Sequence, residues 1–142
     1  VIIVAFRKAK TSWSPISKFI SLWTRGPYCH CEFVFDLTRP RTWFGAILSG
    51  LRFTQEITGN PKKWDFVDIN VNQKRIYALC LTYEGKKYDI WGILSYVLPF
   101  VKQDPRMFYC SEVIYDILAD VGYLKPGIKK VDPNKLYRLL KR

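Results

Sequence analysis

Met107-Phe108-Tyr109-Cys110-Ser111-Glu112-Val113-Ile114-Tyr115-Asp116-Ile117-Leu118 passes from a short aromatic, strand-like approach into an amphipathic helix, with a cysteine at the junction. Val113, Ile114, Ile117, Leu118 and Val121 recur at helical spacing, and Gly122 follows as a stop. A thiol in the first turn of a helix lies beside unpaired backbone N–H groups and the positive end of the macrodipole. Both favour the thiolate, the nucleophilic form. Glu112, in the same turn, favours the helix and slightly opposes a thiolate.

Working outward, the chain holds one histidine, His30, within Tyr28-Cys29-His30-Cys31-Glu32-Phe33-Val34-Phe35-Asp36. Here the pattern has period two, that of a strand. Cys29, Cys31, Phe33 and Phe35 fall on one side and read as core. Tyr28, His30, Glu32, Val34 and Asp36 fall on the other. Glu32 is thus the next residue on His30's side, about 7 Å along the strand. A helix-start cysteine, a lone histidine and a nearby carboxylate are the parts of a cysteine hydrolase: nucleophile, general base and orienting group. Tyr88 and Tyr109 are candidate oxyanion donors, secondary to the backbone N–H of Cys110. Cys31 reads as core, turned away from His30.

The remaining elements define a fold class. Val1 to Phe6 reads as a buried strand. Ser14-Pro15 opens a helix with Ile16, Phe19, Ile20 and Trp23 at helical spacing, stopped by Gly26-Pro27. Strands are expected over Trp43 to Leu48, Leu51 to Ile57 and Trp64 to Val71. Helices are expected over Asn72 to Glu84, after Asp89 through Val97 to Pro99, and from Asp132-Pro133 through Leu140. Strands gather before residue 72 and helices after it. That segregation predicts an α+β fold, a mostly antiparallel sheet with helices packed against it, in a single domain over 1–142.

With 142 residues and 49% apolar content, the chain can bury a core. Its net charge of +11 suits an anionic polymer or lipid surface, yet no motif for specific nucleic-acid recognition accompanies the charge. Trp13, Trp23, Trp43 and Trp91 serve either lipid contact or core packing. No apolar run reaches the roughly 18 residues a membrane span needs, and no signal-peptide pattern opens the chain. The expectation is a soluble protein, cytoplasmic or particle-associated. Cys29, Cys31, Cys80 and Cys110 fit neither a zinc knuckle nor a disulfide framework, so no metal or cofactor is called for.

Five segments in this order resemble the permuted NlpC-type papain-like cysteine hydrolases, the YiiX/YebB-like group. They are Val1 to Phe6, His30-Cys31-Glu32, Gly50-Leu51-Arg52-Phe53, Tyr88-Asp89-Ile90-Trp91-Gly92 and Phe108-Tyr109-Cys110-Ser111-Glu112. The resemblance implies a circularly permuted papain-like (NlpC-type) fold with Cys110 as nucleophile and His30 as general base. It also implies hydrolysis of an amide, peptide or ester bond through a thioester, with peptidoglycan peptides of the cell wall as the family-typical substrate. The lecithin:retinol acyltransferases, which act on lipid acyl groups, are similar in fold. Many relatives take a third catalytic group, often glutamate, from the strand after the histidine strand. Trp43-Phe44-Gly45-Ala46 offers no carboxylate there, which leaves the part to Glu32 or a backbone carbonyl. The alternative from another class is a non-catalytic binding or structural module on the same scaffold, part of a larger assembly such as a phage particle or envelope complex.

Overall fold

The computed structural model describes residues 1–36, 41–47, 49–55, 60–89, 100 and 107–142. The first strand, β1 (Ile2–Lys8), carries the β-branched run and lies inside an antiparallel five-stranded sheet, one strand in from its edge. It is flanked by β2 (Tyr28–Phe35) and β5 (Trp64–Ile69). Beyond β2 lie β3 (Thr42–Ile47) and β4 (Gly50–Gln55), giving the order β4-β3-β2-β1-β5. A separate parallel pair joins β6 (Lys87–Tyr88) to β7 (Met107–Phe108). The described residues hold four α-helices: α1 (Pro15–Trp23), α2 (Gln73–Tyr83), α3 (Cys110–Asp120) and α4 (Pro133–Leu140). The fold is α+β, as expected. The helix expected after Asp89, and with it Trp91, lies outside the described residues.

One face of the sheet builds the main core. Val4, Phe6, Cys31, Phe33, Phe35, Phe44 and Ile69 pack there against Ile76 of α2, Ile114, Ile117 and Leu118 of α3, and Leu136 of α4. The reverse face carries a smaller cluster of Ala5, Val34, Trp43 and Trp64, in which the two indoles meet edge to face at 5.1 Å. Asn72 caps α2 by accepting from the Lys74 and Arg75 amides, and Asp132 caps α4 through the Lys135 amide.

Two details position the histidine strand, and one corrects the expected alternation. His30 pairs with Arg7 while Tyr28 pairs with Lys8, so Cys29 is an extra residue in a β-bulge. The bulge moves Tyr28 onto the core side, where its ring meets Phe6 and Tyr137. From His30 onward the alternation holds. The second detail is Asn134, buried at the start of α4. Its side chain accepts from the Tyr28 amide at 2.9 Å and donates to the Tyr28 carbonyl and Thr24 Oγ1. Gly26 leaves room for it, since a Cβ there would stand 2.3 Å from the Asn134 amide group. Arg25 rather than glycine takes the left-handed turn after α1, with φ of 50°.

Candidate active site

The site forms where the sheet splits. Strand β2 pairs with β1 along most of its length, but with β3 only from Phe33 to Phe35. Below Phe33 the β2–β3 ladder is not continued, and the Cys31 backbone turns its N–H to the Cys110 thiol at the start of α3. Tyr109 is the residue before the helix and gives no side-chain cap, so Cys110 stands at the first helical position. Its thiol accepts from the backbone N–H and the thiol of Cys31 and bonds the imidazole of His30. Because Sγ sits at the strand edge, residues of opposite faces both reach it. The sequence places Cys31 in the core, and it is fully buried there. Its contact with Cys110 has no signal in a period-two pattern.

His30 and Glu32 share the reverse side of β2, as the alternation predicts. His30 Nε2 and Glu32 Oε1 are 2.7 Å apart, which leaves Nδ1 as the ring nitrogen for the Cys110 thiol. The Trp64 ring lies edge-on to the imidazole at a centroid distance of 6.2 Å. Glu32 is 9% exposed and is held in place from the neighbouring strand. A Cβ on Gly45 would come within 2.6 Å of Glu32 Cγ, so only glycine at 45 admits the carboxylate. The strand that offers no carboxylate of its own supplies the space for one. A glycine amid the large residues of a strand marks such an approach, and this signal was readable at Gly45.

The electrostatics follow from these contacts. The hydrogen bond from Cys31 is the chief influence lowering the Cys110 thiol well below its ordinary range. Burial opposes it, and the His30 charge reinforces it. Burial alone would depress the His30 imidazole, but the facing Cys110 charge and the bonds to Cys110 and Glu32 outweigh it and raise the ring well above its ordinary value. Cys31 is pushed well above its usual range by burial and by the adjacent thiolate, so it stays a neutral donor. Both shifts run toward an ion pair of thiolate and imidazolium.

Tyr88 and Tyr109 stand beside the thiol. Both line, with Phe19, Ile20, Trp23, Cys29 and Cys110, a narrow apolar slot of about 30 Å³. Tyr88 also borders a wider groove of about 230 Å³ that includes Arg7, Ser12, Ser17 and His30. Burial raises the Tyr88 phenol, which therefore remains a hydroxyl donor.

No protein-family profile and no curated protein matches this chain. Among solved structures it is similar to the metalloprotein yiiX from Escherichia coli O157:H7, with a TM-score of 0.66 and 20% identity, covering 98% of this chain and 79% of that one. The likeness establishes a YiiX-like fold.

Proposed function

We propose that this protein is a cysteine hydrolase of circularly permuted papain-like type, cleaving an amide or peptide bond through a thioester. The observation that carries the reading is the chain of contacts from Cys110 through His30 to Glu32. The Cys110 thiolate attacks the carbonyl carbon, and the oxyanion turns toward the Cys110 N–H at the start of α3, with the Tyr88 hydroxyl alongside. As the tetrahedral intermediate collapses, imidazolium protonates the departing amine and leaves a thioester. Neutral His30 then takes a proton from water, which attacks the thioester. The acid departs and the proton on His30 restores the ion pair. Glu32 fixes the ring and stabilises its charged form.

The YiiX neighbour is described as a metalloprotein. Among the described residues, no three His, Cys, Asp or Glu side chains gather in a way that could hold an ion. His30 is committed at Nε2 to Glu32 and otherwise to Cys110. The proposed chemistry uses no step at a metal.

Peptidoglycan peptides are the first substrate class to try, beside a generic ester. Cys110→Ala removes one sulfur, costs about 1 kcal/mol of stability, and abolishes turnover. Glu32→Gln lowers the rate and leaves some turnover. Turnover surviving in Cys110→Ala would refute the mechanism, and inactivity of the wild type on both substrates would favour the non-catalytic module.

A further inference from the structure

Helix α1 is built inside out. None of its residues is buried. Its serines are turned inward onto hydrogen bonds: Ser17 Oγ meets Ser12 Oγ at 3.0 Å, and Ser21 Oγ donates to the Gly26 carbonyl at 2.6 Å. Its large apolar side chains, Ile20 apart, are exposed. Trp13 just before the helix is 94% exposed, Leu22 80% and Trp23 49%, with Ile16 and Phe19 also exposed. Ten large hydrophobic residues are exposed among the described residues, and these five occupy one stretch of eleven positions. So dense a patch is not the ordinary scatter of surface apolar groups.

The charges of the helix and of the chain leading into it all have one sign. Residues 1–31 contain Arg7, Lys8, Lys10, Lys18 and Arg25 and no Asp or Glu. Lys10, Lys18 and Arg25 are exposed at and beside α1. Two carboxylates close to this basic stretch are engaged: Asp65 holds Lys8 at 2.8 Å, and Asp132, which lines the slot with Phe19 and Trp23, accepts from the Lys135 amide. We propose that α1 with Trp13 docks on the surface of an anionic lipid bilayer, its aromatic and aliphatic side chains in the interfacial layer and Lys10, Lys18 and Arg25 against the headgroups. Tryptophan suits that layer, where one end of the ring is apolar and the other wet. Interfacial binding of this kind sums buried apolar area and attraction to anionic lipid. A second copy of the chain is a poorer occupant, because each copy carries +11 and brings the same basic rim. Phe19 and Trp23 border the slot at Cys110, and Ile16 borders the groove at His30, so the docked helix would set the mouth of the site at the membrane. The inference stands on α1 alone and does not need Cys110 to be catalytic.

The test is flotation of the full chain at 0.1 M salt with phosphatidylcholine vesicles, with and without phosphatidylglycerol. The wild type floats with the anionic vesicles and not with phosphatidylcholine alone. The pair Trp13→Ser with Leu22→Ser lowers binding by about tenfold or more, and so does Lys18→Glu with Arg25→Glu. Melting curves check that the variants fold, and Trp13→Ser alone serves if a pair does not. Failure of the wild type to float overturns the proposal, as does flotation unchanged in both pairs. A dimer in light scattering that Trp13→Ser splits would hand the face to a second copy and overturn it equally.

Discussion

Helices α1 and α3 flank the same cleft and carry similar apolar stripes, yet α3 buries seven of its residues and α1 none. Helix α3 lies across β2 and β3, so its stripe completes the core and fixes Cys110 at the strand edge. Helix α1 lies beside β2 and the turn after β1, held by its own serines and, past its end, by the Asn134 bonds to Thr24 and the Tyr28 backbone. The stripe of α1 is left to solvent. Helical periodicity reports that a face is apolar. It does not report whether the fold has anything to set against that face.

Truncation tests this contrast most strongly. Ile114→Ala in α3 is expected to cost about 2–5 kcal/mol in urea unfolding, as for other buried truncations. Leu22→Ala in α1 should stay within about 0.5 kcal/mol of wild type. Comparable losses at both positions would mean that α1 is packed after all.

Gly45→Ala moves the question to the sheet behind α3. The added methyl must push Glu32 aside, and overpacking of this kind costs about 1–3 kcal/mol. The displaced carboxylate should also lower the pKa of His30, because Glu32 helps hold the ring charged. An NMR titration of the single histidine reads this directly. An unmoved titration would show that Gly45 does not hold Glu32 on the ring.

The smallest effect is expected on the outer side of α3. Asp116 is raised to about 6, by burial first and by Asp120 second. A folded-state pKa above the unfolded value means stability that is full below about pH 4 and lost as pH rises through about 6. Asp116→Asn should therefore stabilise by about 1 kcal/mol at pH 7, discounted for partial exposure, and by nothing near pH 4. Thermal melts at the two pH values check the sign.

Much of this arrangement was legible in the residues. Local signals marked the bounds of α2 and α4: Asn72 and Asp132 are caps, and glycines take the left-handed turns after α2 and α3 at Gly85 and Gly122. The pairing of His30 with Glu32 followed from strand alternation. Other features depend on contacts between segments far apart in sequence. The bulge that turns Tyr28 inward comes from its pairing with β1, and the Cys31–Cys110 contact brings a strand residue to a distant helix start where the β2–β3 ladder has ended. Period two cannot express either. The clamp at Asn134 joins positions 106 residues apart, with no local pattern to announce it.

The proposed mechanism requires that Cys110 rest as a thiolate beside a protonated His30. The measurement is iodoacetamide labelling across pH, resolved for each cysteine by peptide mass spectrometry, in wild type and His30→Ala. Because its pKa is lowered, the Cys110 thiolate persists as pH falls below the ordinary thiol value of about 8.5. Cys110 should therefore label fast near neutral pH, while Cys29, Cys31 and Cys80, all raised by burial, label slowly. In His30→Ala the Cys110 profile should move to higher pH. A Cys110 that labels no faster than the other three at neutral pH, with a profile unchanged by the loss of His30, would contradict the account.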